Sequence, residues 1–253
     1  MLFNSFNFLF LLIITFIIYY LPPLEKFQKA TIIISSFVFY SIGHPLLTLV
    51  LVLIIAITAT TSYLVLNSTA TRKKLWAICG IALSIFILAV FKYSPFLSQT
   101  FIQHGSSLGE FMLMIPLPMG ISFYVFKGIS LVIDSFGDKV DEQSHMNMGV
   151  AQHSIHSVMY VSFFPQILEG PIQSAADFFP QISTKHLKDI DWEFIIKTFI
   201  LGYFLKMVIA DNLNNQTFWM VYPYFQGHSS ITLIMLLFGY SIDLLHNSYF
   251  VAI

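Results

Sequence analysis

The chain has 253 residues, of which 57% are hydrophobic, 17% aromatic and only 10% charged, with a formal net charge of -1. A soluble globular domain carries about 25% charged residues, so a water-soluble fold is excluded for most of this chain. The single arginine, Arg72, and the scattered lysines form no basic patch for nucleic acid, and the lone Cys79 excludes an internal disulfide framework or a Cys-rich zinc site.

The N-terminal run Met1-Leu-Phe-Asn-Ser-Phe-Asn-Phe-Leu-Phe lacks the basic region of a secretory signal. The apolar stretch after it ends in Tyr19-Tyr20-Leu21-Pro22-Pro23 without a small-residue cleavage site, so it reads as a retained first span. A spanning helix needs about 20 mainly apolar residues. Leu2 to Leu21, Pro45 to Leu66, Leu75 to Phe91, Phe111 to Phe136, Trp192 to Ala210 and Ile231 to Ala252 qualify. Thr31 to Ile42 is apolar but short; it crosses with its flanks, or forms a short helix leading to the turn at Gly43-His44-Pro45. Cys79, inside an apolar run, is expected to be an inert buried thiol. Ser154 to Leu168 is broken by Pro165 and followed by Gly170-Pro171, which reads as a re-entrant or interfacial segment packed against other helices. The expectation is an all-α, polytopic transmembrane bundle of about six to eight membrane helices. If Thr31 to Ile42 crosses, Lys26, Lys29, Arg72, Lys73 and Lys74 fall on one side, which the positive-inside rule makes cytoplasmic, with the N-terminus outside.

Charges inside apolar segments are the functional candidates. Lys127 and Asp134 lie seven residues apart, two turns along one helical face. Either they serve function there, or Asp134 sits near the interface and Lys127 snorkels to it. Gln166 and Glu169 flank the break before Gly170-Pro171, where Glu169 lines a water-filled cavity or faces solvent. Lys206 and Asp211 frame the end of a span, and Lys197 and Lys206 read as interfacial anchors. His153 and His156 are spaced i, i+3, but no third ligand, HExxH or Cys/His cluster accompanies them, so no metal site is expected. His44, His104, His186 and His228 fall in loops. No GxSxG elbow, P-loop or GxGxxG is present.

Three segments carry a resemblance. They are Leu117-Pro-Met-Gly-Ile-Ser-Phe-Tyr-Val-Phe-Lys-Gly-Ile-Ser-Leu-Val-Ile-Asp134, Tyr160-Val-Ser-Phe-Phe-Pro-Gln-Ile-Leu-Glu-Gly-Pro-Ile-Gln-Ser-Ala-Ala-Asp-Phe-Phe-Pro-Gln181 and Leu201-Gly-Tyr-Phe-Leu-Lys-Met-Val-Ile-Ala-Asp-Asn-Leu213. In this order and spacing, and with the start Met1-Leu-Phe-Asn-Ser, the chain resembles the membrane-bound O-acyltransferase family, in the branch of bacterial alginate O-acetyltransferases. The resemblance covers residues 1–242, as an N-terminal portion of that family's transmembrane domain, and leaves 243–253 as a tail of other character.

The resemblance implies a multi-pass enzyme of the bacterial inner membrane that O-acetylates an alginate-like cell-surface polysaccharide through a tunnel. It implies an acetyl-CoA-type donor that is not held as a bound cofactor. Besides membrane lipids, the implied partners are periplasmic polysaccharide-modification proteins. Lys127, Gln166, Glu169 and Asp211 are then expected to line the tunnel. Relatives carry a small residue where this chain has Glu169 and an arginine where it has Ser174, which changes the charge of that region. The essential histidine of the family belongs to a Trp-His motif with no counterpart here, and nothing around His246 matches it, so no catalytic residue is assigned. The expectation is a C-terminally truncated, inactive chain, left by a disrupted gene or completed by a separate C-terminal half. A transporter or channel component and a non-catalytic membrane scaffold are the alternative readings; no internal repeat of the transporter kind is visible.

Overall fold

Two successive prolines remove two backbone donors, so the first helix, α1 (Phe6–Tyr20), stops before Pro22-Pro23. A 3-10 turn over Pro22–Phe27 leads into α2 (Gln28–Ser41), and the chain bends by 103° at this break. In this computed structural model the described residues are 6–42, 45–103, 116–137, 149–168 and 173–252. The helices that follow are α3 (Thr48–Leu66), α4 (Ala70–Gln103), α5 (Ile121–Phe136), α6 (Val150–Ser162) and the single turn α7 (Ala175–Phe178). Next come α8 (Trp192–Phe204), a π-helical segment (Leu205–Ala210), α9 (Asp211–Thr217) and α10 (Ser230–Ala252). Among the described residues there is no strand, and the fold is all-α.

Among the described residues, two helices are long and apolar enough to cross a membrane, Pro45–Leu66 and Ala70–Ser94; the bent pair formed by α1 and Pro22–Ser41 makes a third if it counts as one span. This corrects the expected six to eight. At about 1.5 Å per residue, the 16-residue α5 falls short of a hydrocarbon core about 30 Å thick; residues 2–5 of the expected span from Leu2 lie outside the described residues. The segment from Trp192 changes from α to π geometry after 13 residues, and the last helix is apolar over Ser230–Asp243, the side chains beyond Asp243 lying outside those described. Residues 111–115 of the expected span from Phe111 lie outside the described residues.

The chain divides into two compact units. In the first, built from residues up to Leu168 and from 173 to 186, α3 is the central helix and packs against α4, α5 and α6. Its core contains Phe39, Leu51, Ile54, Tyr124, Leu131, Tyr160, Phe164 and Ile167. The helices approach closely because small residues face hydroxyl residues. A methyl group added at Gly128 of α5 would lie 2.6 Å from Thr58 Cγ2 of α3, and one at Gly80 of α4 would collide with the Thr61 side chain. Thr58, Thr61 and Ser84 donate their hydroxyls to carbonyls one turn back on their own helices, at 2.8, 2.7 and 2.8 Å. A small-residue interface whose hydroxyls are satisfied internally suits helix packing in hydrocarbon, where an unpaired polar group is costly. Cys79 on α4 is half-buried, not enclosed as expected.

Gln28 fastens the bend after α1. Its amide Nε2 donates to the carbonyls of Tyr19 (3.1 Å) and Lys185 (2.7 Å), and its Oε1 accepts from the Lys185 N–H (3.0 Å). The second unit, from Leu187 onward, packs α10 against the π segment, α9 and α8.

Candidate functional site

The first two resemblance segments pack together in the first unit. Gly120 opens α5 with φ of +73°, a left-handed conformation open to glycine. A side chain there would also strike the Ile167 carbonyl, 2.6 Å from the position of an added Cβ. The turn before α5 therefore lies directly on the Gln166-Ile167-Leu168 stretch. Tyr40 of α2 reinforces it by donating its hydroxyl to the Met119 carbonyl at 3.1 Å.

Two turns further along α5, Lys127 is only 1% exposed. Its Nζ donates to Gln166 Oε1 at 3.2 Å and stands 5.1 Å from the Tyr160 ring centroid and 5.9 Å from those of Phe163 and Phe178. Lys127 therefore does not snorkel. The aromatic faces and the glutamine oxygen stabilise an ammonium removed from water, so the side chain points into the unit's core.

Asp134, two turns on, is also buried, at 6% exposure. Its Oδ2 accepts from Ser174 Oγ (2.7 Å), the Ala175 N–H (2.9 Å) and Ser130 Oγ (3.4 Å). Ser174 in turn caps α7, accepting from the Ala176 N–H at 3.2 Å. Asp134 is thus held by hydroxyl and backbone donors in the protein interior, not placed at an interface. The Ser174 that departs from the family pattern supplies one of them. Tyr160 closes the arrangement by donating its hydroxyl to the Gln173 carbonyl, and the Phe164 N–H donates to Ser36 Oγ at 3.2 Å. The two charges of α5 therefore pin the chain on both sides of the break, one before it at Gln166 and one after it at Ser174.

Of the expected tunnel residues, the structure brings Lys127 and Gln166 into contact. Glu169 lies outside the described residues. Asp211 belongs to the second unit, where its carboxylate pairs with Lys206 at 2.7 Å. Lys197 pairs with Glu193 one turn earlier on α8. His246 falls on α10, but its side chain is not among those described.

A second polar cluster involves residues that the sequence left unpartnered. His153 Nε2 and Ser62 Oγ share a hydrogen bond of 2.8 Å, and His156 Nε2 lies 3.2 Å from Lys29 Nζ. Both histidines are buried, and neither Nδ1 has a partner among the described residues. No group of three His, Cys, Asp or Glu that could hold a metal ion occurs among the described residues. The sequence signal for Ser62 was its place one turn after Thr58 on the buried stripe of α3. Its partner, 91 residues away, had none.

No family model matches the chain, and no solved structure matches it. Curated proteins do. A probable alginate O-acetylase of Pseudomonas aeruginosa is 30% identical over 223 residues, covering 84% of this chain and 40% of that protein. The peptidoglycan O-acetyltransferase of Helicobacter pylori is 30% identical over 159 residues, covering 55% of this chain and 30% of that protein. The teichoic acid D-alanyltransferase of Bacillus subtilis is 27% identical over 221 residues, covering 85% of this chain and 51% of that protein. The chain thus spans between 30% and 51% of the length of these relatives. With its apolar helices and this set of relatives, it is a membrane protein, similar over most of its length to part of the alginate O-acetylases and so resembling the membrane-bound O-acyltransferase family.

Proposed function

We propose that the protein serves in O-acyl transfer at the bacterial inner membrane, as a multi-pass component of an enzyme that acetylates an alginate-like cell-surface polysaccharide. The observation that carries this reading is the alignment of 84% of the chain with alginate O-acetylases. The donor in this reading is an acetyl-CoA-type thioester used as a substrate. The partners are periplasmic polysaccharide-modification proteins and the portion of the family's fold that this chain does not align to. Lys127 and Gln166 of the first unit belong to the wall of the acyl path, and no residue of this chain is assigned to the chemical step. The buried Lys127 suits such a wall, because a fixed cation in a water-poor setting attracts a carbonyl or anionic oxygen more strongly than it would in water.

The test is acetyl transfer in membrane vesicles supplied with labelled acetyl-CoA and an alginate acceptor. The chain is expressed together with the remaining portion of an alginate O-acetylase. Base-labile label on the polysaccharide, above that of vesicles lacking this chain, is the expected result. Equal label with and without the chain overturns the proposal.

A further inference from the structure

The second unit contains a cavity that the proposed acyl transfer does not use. It has a volume of about 270 Å3, lies between α9 and α10, and is lined by Leu213, Gln216, Thr232, Met235, Leu236 and Gly239. The two helices are joined by residues 218–229 and run antiparallel, so the lining is graded by polarity. Gln216 in the last turn of α9 and Thr232 in the first turn of α10 mark the loop end. Leu213, Leu236 and Gly239 lie one to two turns deeper and are apolar.

Gly239 keeps the deep end open. A methyl group there would reach ordinary contact with Leu213 Cδ2 at 3.6 Å, and any larger side chain would occupy the space. The mouth opens onto an apolar surface: Met235 is 68% exposed, and Ile231, Ile234 and Phe238 beside it on α10 are exposed too. An apolar cavity excludes water, and one of roughly 150 Å3 takes a benzene-sized hydrocarbon. The larger volume here takes a run of several methylenes. In a membrane protein the hydrocarbon at hand is lipid.

We propose that this cavity is a binding site for one acyl chain of a membrane glycerophospholipid. The methylenes lie along Leu213, Leu236 and Gly239. The ester carbonyl accepts a hydrogen bond from the Gln216 amide at the loop end, beside Thr232, whose hydroxyl is shared with Ser229 Oγ at 3.0 Å. A polar pair at one end and aliphatic walls at the other match an ester-linked chain, which carries its only polar atoms at its head. The site does not depend on the proposed reaction, and its failure leaves that reading as it stands.

The experiment uses the full chain in lipid nanodiscs. These are doped with a phosphatidylethanolamine that carries a photoactivatable diazirine on one acyl chain, and labelled residues are mapped by peptide mass spectrometry. The expected result is labelling at Leu213 and Leu236 above that at Ile200, which is exposed on α8. Gly239→Leu, which fills the cavity, lowers the cavity labelling about tenfold, the equivalent of about 1.4 kcal/mol, and leaves Ile200 unchanged. Leu236→Ala, which enlarges the cavity, raises labelling at Leu213. An ether-linked analogue, which lacks the carbonyl, labels the cavity more weakly than the ester. Labelling at Leu213 and Leu236 that matches Ile200 and ignores both variants means ordinary surrounding lipid only, and overturns the proposal. Equal labelling by ester and ether lipids overturns the assigned role of Gln216.

Discussion

Lys206 and Asp211 stand five positions apart and still meet, Nζ to Oδ1 at 2.7 Å. Five residues at about 100° each would set them roughly 140° apart around an α-helix. The π-helical segment over Leu205–Ala210 widens the turn and returns Asp211 to the side of Lys206. Both side chains keep contact with the surface, at 22% and 44% exposure, so the pair is a weak contributor to stability. Lys206→Met or Asp211→Asn should each cost no more than about 1 kcal/mol. Thermal unfolding of the detergent-solubilised chain, followed by circular dichroism, measures this. A loss of several kcal/mol would show that the pair holds the π geometry together.

Lys127 and Gln166 should behave in the opposite way. Gln166→Leu leaves a buried ammonium with aromatic faces but no acceptor among the described residues, and breaking such an arrangement costs about 3–5 kcal/mol. Lys127→Met removes the charge at similar volume and leaves only a neutral amide oxygen unpaired, about 1–3 kcal/mol. The combination Lys127→Met with Gln166→Leu should be milder than Gln166→Leu alone. The same unfolding assay reads the ordering, and a glutamine variant milder than the lysine variant would contradict it.

Asp134 and Ser174 test the other side of the break. Ser174→Ala removes both a 2.7 Å hydrogen bond to a carboxylate and the cap of α7. A hydrogen bond to a charged group is worth about 1.5–3 kcal/mol. Hydrogen exchange should accelerate over 174–178 while α3 stays protected. Unchanged exchange there would show that Asp134 is satisfied without the serine.

Gly128 and Thr58 test the packing of α5 on α3. Gly128→Ala places a methyl 2.6 Å from Thr58 Cγ2, and overpacking of this kind costs about 1–3 kcal/mol. Adding Thr58→Ala removes that methyl group and should restore much of the loss, a coupling that a double-mutant cycle detects. Gly120→Ala has no such rescue, because its obstacle is the Ile167 backbone carbonyl and its φ is +73°.

The sequence by itself determined the solvent and the kind of fold. A chain with 10% charged residues and 57% hydrophobic ones cannot remain dissolved in water, and in hydrocarbon only structures that satisfy their own backbone persist. The breaks were legible too: Pro22-Pro23 stops α1 whatever surrounds it, and Pro165 stops the helix that begins at Val150. These are local effects, carried by the residues at the break. The family was legible in three spaced segments, two of which pack on one another.

Tertiary structure alone decided where the polar side chains go. Periodicity placed Lys127 and Asp134 on one face of a helix but could not say what that face meets. The answer lies in Gln166, Ser174 and three aromatic rings brought in from later in the chain. Ser62 and His153 found each other in the same way across 91 residues. Among the described residues the number of long membrane helices was over-read, because apolar composition does not reveal that the helix ending at Phe136 begins only at Ile121 or that the one from Trp192 changes to π geometry. Hydropathy sums over one segment. The burial of a charge or the course of a helix depends on which other segments stand beside it.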